Sequence, residues 1–291
     1  MNARLLYASQ CFLGEGPCWH PARKSCFWVD IEHQRLYEYQ WPEGQHVRQW
    51  TFQQRITLVV ITQDDKLLLG AEGGLLRFDP DTGESRWLMD LEKDFEKHRC
   101  NDGGVDREGR LWVGTLHRDF ITGVASLYCI ADDLVPRTQI AGVTISNGIA
   151  WSNDDTRLYY IDSPRRRIES YLYDSTTGQL GFERVAVPIP GNIGDPDGMA
   201  IDEEGMLWVA HWGSFNVHRW NPHNGQLLDT IHVPAPNVSC CAFAGDALDH
   251  LVITTARQDL SPEQLEQYPQ SGDVFVTKMP VRGVPSQRCR I

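Results

Sequence analysis

The sequence predicts an all-β chain: a six-bladed β-propeller, with four-stranded antiparallel blades around a central channel, forming a single domain over 1–291. Three observations carry this. Short apolar runs recur along the whole chain and are broken by acidic or glycine-containing turns. The runs fall into units whose spacing is that of a four-stranded blade. Long amphipathic helical stretches, of which a (β/α)8 barrel would need eight, are absent.

Each unit reads as a strand, an acidic turn, an apolar strand, a second turn, and an aromatic strand closed by a turn of Asp/Asn-x-x-x-Gly type. The last turn occurs as DPDTG at 79–83, DSTTG at 174–178 and NPHNG at 221–225. Asp106-Arg-Glu-Gly109-Arg-Leu-Trp112-Val repeats as Asp202-Glu-Glu-Gly205-Met-Leu-Trp208-Val at an offset of 96. Register across all six units places their starts at Glu15, Thr57, Asn101, Asn147, Asp197 and Ser239, with gaps of 42, 44, 46, 50 and 42. The Gly-His and Trp-Asp signature of WD40 repeats is missing. A strand near Ala3–Ser9 is expected to complete the last blade, which removes exposed sheet edges. Trp87–Lys97 and Ser261–Leu265 are read as single helical turns in loops.

Composition narrows the function. The chain has 27 basic and 39 acidic residues, for a net charge of −12. Nucleic acid and anionic membranes are therefore not expected partners. The densest basic group, Arg165-Arg166-Arg167, reads as a solvated surface turn. No window approaches a membrane span, and MNARLLYASQCFLGEGP lacks a signal-peptide core. The eight cysteines form no C-x-x-C pair and no zinc spacing, so free thiols in the cytoplasm are expected. No Gly-x-Ser-x-Gly elbow is present. Cys240-Cys241 reads as packing, and His20, His98, His117, His211 and His218 share no ligand spacing. His211 precedes Trp212-Gly213-Ser214, from where it could reach a site in a blade-five loop.

The six register-equivalent residues are all polar. In a propeller the first strand of each blade lines the channel, so side chains 42 to 50 residues apart converge on one axis. Thr57 and Ser239 are expected only to hydrate the channel. Glu15, Asn147 and Asp197 point further. Two carboxylates aimed at one axis repel unless a cation lies between them. With an amide oxygen they suit a hard divalent ion and leave positions for water and substrate. One divalent cation is therefore expected, calcium or zinc first, with manganese, magnesium and iron(II) also compatible with oxygen ligands.

The motifs LGEGP at 13–17, RCNDGGVDREGRLWVGT at 99–115, SNGIAWS at 146–152, YYIDS at 159–163, DPDGMAID at 195–202 and SCCAF at 239–243 occur in order over nearly the whole chain. In these the sequence resembles the SMP-30/gluconolactonase family, which includes regucalcin. The resemblance implies a six-bladed propeller with one divalent metal in its channel and hydrolysis of sugar lactones to aldonic acids. It puts metal ligands at Glu15, Asn147 and Asp197, substrate contacts at Arg99 and Asn101, and the general base at Asp197. After Gly114-Thr115 the match is looser. Asp119 is expected to supply an acidic substrate contact there, with His117 and Arg118 as other candidates to face the sugar. The expected partner is a small sugar lactone, and the expected assembly a monomer or weak homodimer. Two other functions compete: an esterase or phosphotriesterase on a related propeller, and a calcium-binding regulatory protein without turnover. The charged and hydrogen-bonding groups Arg99, Asn101, Arg118 and Asp119 near the mouth favour a polyol substrate over an apolar ester.

Overall fold

The repeated acidic turn has a physical cause that the structure makes plain. In blade 3 the Asp106 carboxylate accepts hydrogen bonds from Arg110 N (3.0 Å) and Trp112 Nε1 (2.8 Å). In blade 5 Asp202 accepts from Met206 N (3.0 Å) and Trp208 Nε1 (3.0 Å). One buried carboxylate thus fixes both the turn and the tryptophan six residues on, which is why Asp and Trp recur together. Thr62 and Ser152 do the turn's part of this work with hydroxyls, accepting from Lys66 N and Arg157 N. All four stand five residues beyond their blade's predicted start.

The computed structural model describes residues 1–42 and 47–291. Six four-stranded antiparallel sheets form a ring. Their inner strands are Gly14–His20, Ile56–Ile61, His98–Val105, Ser146–Trp151, Asp195–Ile201 and Asn237–Ala244. Every predicted start falls between the second and fourth residue of its inner strand. Six apolar cores fill the gaps between neighbouring blades. Successive residues of one strand serve opposite gaps: Leu111 and Val113 pack toward blade 2, and Trp112 toward blade 4. Both faces of each blade are buried, so the strands read as apolar runs and not as alternating ones.

Blade 6 is closed by the N-terminal strand Arg4–Tyr7, which pairs antiparallel with Val274–Lys278. This agrees with the expected Ala3–Ser9 strand. The residues before it cross to blade 5, where Ala3 N donates to His232 O (2.8 Å) and His232 N donates to Met1 O (2.8 Å). The segment after Met279 crosses the far mouth of the channel. It bonds to Glu203 N, Leu248 O, Ile61 O and Gly109 O of four different blades, and Val284–Gln287 line a cavity of about 220 Å³ there.

Two expectations need correction and one holds. Ser85–Asp90 is the outer strand of blade 2, followed by turns, and not a helical turn. Its amphipathic look has a local cause, since Trp87 Nε1 and Lys93 Nζ both bond Asp90 (2.7 and 3.1 Å). The arginine triplet is not simply solvated: Arg165 and Arg167 both pair with the buried Glu169, and Arg166 lines the channel mouth. The helix Pro262–Gln267 forms as expected, with a capping box between Ser261 and Gln264. All eight cysteines are free and buried. Among the described residues no helix is long and apolar enough to cross a membrane.

Deleting residues 1–10 should lower the melting temperature by about 5 °C or more, since it strips the outer strand of one blade and the link to another. Thermal unfolding followed by circular dichroism checks this. A truncated chain that melts with the full one would contradict closure by this strand.

Candidate active site at the channel axis

Each inner strand slips register with its neighbour at the same place. The shifts lie between Glu15 and Cys18, Ile56 and Leu58, Cys100 and Gly103, Ser146 and Ile149, Pro196 and Met199, and Val238 and Cys240. The six axial residues therefore sit in or beside a β-bulge. A bulge leaves a residue unpaired and re-aims its side chain, and in blades 1, 3, 4 and 5 the polar side chain at this place lines the axial cavity.

The glycines that follow let the strands meet there. A Cβ on Gly148 would lie 2.8 Å from Asp197 O and 2.7 Å from Met199 Cβ. One on Gly198 would run into the Cys240 thiol. Cys240 is thus a packing residue, with its thiol pushed up by burial. The bulges also explain Thr57 and Ser239, which do not hydrate the channel as expected. Thr57 Oγ1 donates to Gly70 O (3.3 Å), and Ser239 Oγ to Gly14 O (2.6 Å), tying blade 6 to blade 1. Neither lines the cavity at the near mouth.

That cavity holds about 340 Å³, and its floor brings together Glu15, Arg99, Asn101, Asn147 and Asp197. Five of the six residues assigned from sequence therefore meet. The sixth, Asp119, does not line the cavity. It is exposed and paired with Lys97 Nζ (2.7 Å). Arg118 turns to Glu72 (3.6 Å), and His117 Nδ1 accepts from Asp119 N (3.1 Å). His211 does not reach the site either. It is fully buried within blade 5, taking a bond from Trp220 Nε1 (3.3 Å) and packing on His218.

A hydrogen-bond chain orders the floor. Arg99 Nη1 donates to Asn101 Oδ1, Asn101 Nδ2 donates to Asn147 Oδ1 (2.8 Å) and Ser146 O (2.7 Å), and Asn147 Nδ2 donates to Ser163 Oγ (2.7 Å). Ser163 Oγ then donates to Pro196 O (2.6 Å), one residue before Asp197. Three inner strands are thereby locked together. Both amide hydrogens of Asn101 are consumed within the protein, so its sequence-assigned role as a direct substrate contact reduces in this structure to what Oδ1 can accept. Ser163 was missed from sequence. Its motif YYIDS was visible, but its role depends on a neighbour sixteen residues back and a carbonyl in the next blade. Asp102, beside Asn101, was also missed.

The electrostatics are unbalanced. Burial, then the neighbouring Asp102 carboxylate, pushes the Glu15 carboxyl well up from its usual range. Burial, then Glu15, does the same to Asp197. Asp102 is pushed up to about 6 by burial. Arg99 is the cation that answers them, itself lowered to about 10 by burial. Its Nε is buried without a partner among the described residues, leaving a donor for a ligand.

The donor set fits one divalent cation. Glu15 and Asp197 supply two negative charges. Asn147 Oδ1 accepts a single bond and keeps its second lone pair. Among the described residues no three His, Cys, Asp or Glu side chains form a metal-ligating group, so an ion here would rest on mixed carboxylate and amide oxygens.

Fold and site together define a six-bladed propeller with an acidic, oxygen-rich pocket on its axis. The description that matches residues 13–257 is that of the SMP-30/gluconolactonase/LRE-like region, and the chain belongs to that family. It is 31% identical to rabbit (Oryctolagus cuniculus) regucalcin over 94% of each chain. It is also 31% identical to the Bacillus subtilis protein YvrE, whose name assigns it provisionally as a sugar lactone lactonase, over 97% of each. A crystal structure titled as a calcium-binding regucalcin from Agrobacterium tumefaciens superposes with a TM-score of 0.94 at 30% identity, covering 99% of this chain and 97% of that one.

Replacing Ser163 with alanine should release the Asn147 amide and weaken divalent-metal affinity about 10- to 100-fold, as loss of an outer partner of a ligand commonly does. Isothermal titration calorimetry with calcium, manganese and zinc checks this. Ser163→Thr, which keeps the hydroxyl, should recover part of the loss.

Proposed function

We propose that the protein is a metal-dependent lactonase that opens sugar lactones to aldonic acids. The observation that carries this reading is the pair of carboxylates, half-buried Glu15 and buried Asp197, facing one cavity floor beside the Asn147 oxygen with Arg99 as the cation next to them. Family membership and the named lactonase relative support the substrate class.

Glu15, Asn147 and Asp197 would hold the cation. When bound, it supplies Lewis-acid polarisation of the lactone carbonyl and makes water a better nucleophile. The chain's own residues supply the rest. Asp197, ionised once the site's charge is balanced, takes a proton from the attacking water. The water oxygen bonds to the carbonyl carbon, and charge develops on the carbonyl oxygen. Arg99, with its free Nε–H, stabilises that negative charge or holds a neighbouring hydroxyl. As the ring C–O bond breaks, the ring oxygen receives the proton back and leaves as a hydroxyl. Asn101 holds Asn147 in place and offers Oδ1 to the substrate. Asp119, outside the cavity in this structure, would touch substrate only through a rearrangement of its pairing with Lys97.

A pH-release assay on a panel of aldonolactones, with and without chelator, tests the reading. Turnover should require metal. Asp197→Ala should lose both metal and activity. Asp197→Asn should retain metal at reduced affinity and lose at least about 100-fold in kcat, as removal of a general base commonly costs. Near-normal turnover of Asp197→Asn would end the base assignment. Metal binding without turnover of any lactone would favour the calcium-binding reading.

Metal loading should also release protons. Glu15 and Asp197 hold their protons unusually tightly in the metal-free protein, because burial and a neighbouring carboxylate, Asp102 for Glu15 and Glu15 for Asp197, disfavour ionisation. Binding requires the ionised forms, so adding calcium at neutral pH to a weakly buffered solution should acidify it by about one proton per ion. Affinity should fall as pH is lowered. An affinity independent of pH between 6 and 8 would contradict this.

A further inference from the structure

The cavity has two zones of opposite character. The floor is polar throughout. Above it stands a collar of Leu13, Leu116, Phe120, Ile145, Pro164 and Trp212. Of the polar groups that the sequence placed near this mouth, Arg99 and Asn101 belong to the floor, whereas Arg118 and Asp119 are turned away. Lys97 and Asp119 satisfy each other, and Arg118 reaches to Glu72. Arg166, on the rim toward blade 5, spends its terminal nitrogens on Asp195, Pro190 O and Gly194 O, and its Nε is buried without a partner among the described residues. Gln258 and Asp259 lie together on the blade-6 side. The sector of the mouth between blades 3 and 4 is left with hydrocarbon.

Phe120 is the centre of that sector. It is 49% exposed, and its backbone takes φ of 53°, a left-handed conformation that bulky side chains rarely adopt. The turn holding it there is closed by a 2.7 Å bond from Phe120 N to His117 O. Leu134, Phe215 and Leu248 take the same left-handed conformation elsewhere in the fold, so the turn is a device of the propeller; what sets Phe120 apart is that its half-exposed ring lines the cavity.

A fully hydroxylated lactone carries a hydroxyl on each ring carbon and beyond. With its ester on the floor, its distal hydroxyls would face Leu116, Phe120, Ile145 and Pro164 and lose their water without gaining partners. We infer that the lactone taken by this site carries an apolar group at the end remote from its ester, a deoxy carbon or larger hydrocarbon substituent that packs under Phe120. This rests on the lactonase reading and narrows it.

The test compares hexonolactones with their 6-deoxy counterparts of the same configuration, using the metal-loaded enzyme. The deoxy member of the preferred pair should have a kcat/KM higher by about tenfold or more, the scale on which apolar contacts discriminate. Phe120→Ser should bring that ratio to within about threefold, and its melting temperature reports whether the fold is intact. Equal or better turnover of the hydroxylated member by the unaltered enzyme would overturn the inference. So would an unchanged ratio in a folded Phe120→Ser protein. If no lactone is hydrolysed, the lactonase reading falls, and calorimetric binding of the same pairs decides the collar separately. Tighter binding of the deoxy member keeps it, whereas equal binding, or none, overturns it.

Discussion

Two carboxylates buried on one axis repel each other, and the rest of the site is arranged around that fact. Glu15 arrives from blade 1 and Asp197 from blade 5, so neither can retreat without moving a strand packed on both faces. Desolvation, then the Asp102 carboxylate at Glu15 and the Glu15 carboxylate at Asp197, push both toward their protonated forms. A soft scaffold would relieve the stress by letting one side chain swing out to water. This one resists through closure of the ring, the glycine contacts at Gly148 and Gly198, and the hydrogen-bond chain from Arg99 to Pro196 O. A pocket held in that state gains more from a divalent cation than from any neutral ligand, because the cation removes a repulsion already present.

The same constraint accounts for the amides. A third carboxylate at position 147 would add charge that one ion could not balance, whereas an asparagine contributes an oxygen without charge. Its cost is orientation, since an amide offers oxygen on one side and nitrogen on the other. Asn101 and Ser163 settle that question by donating to Oδ1 and accepting from Nδ2. Ser163 therefore matters through geometry and not through its own chemistry.

The propeller, its register and the axial residues were legible in sequence because each depends on local rules. Turn chemistry repeats every blade, and the Asp106 and Asp202 carboxylates bind turn and tryptophan within seven residues. Once register is known, one residue per blade must approach the axis. What was not legible depends on contacts across blades. Ser239 and Thr57 looked like channel residues but are tied to backbone carbonyls. His211 follows an apolar strand as a site residue would, yet its alternation points it into the gap beside Trp220. Asp119 and Arg118 stand in the right loop, but ion pairing with Lys97 and Glu72 takes them off the cavity. Loop ion pairs leave no periodic trace in a sequence.

The division between floor and collar follows from where each is built. Floor residues belong to inner strands, whose bulges are fixed by pairing and by packing in two cores, so they can hardly be moved singly. Of the collar residues, Leu13 and Ile145 come from the segments entering inner strands, and Leu116 and Trp212 from the far ends of second strands. Leu13 and Ile145 are held there because the Asp30 and Asp162 carboxylates accept their backbone N–H groups (3.2 and 2.9 Å). Phe120 and Pro164 sit beyond the ends of second strands, Phe120 in a turn tied to Lys97 and Pro164 in the turn that also holds Ser163. Phe120 stands apart from the axial carboxylates, since no bond of the floor chain passes through its loop. The axial groups and the collar thus belong to different parts of each blade, the first to inner strands fixed by packing on both faces and the second to the strand ends and turns around them.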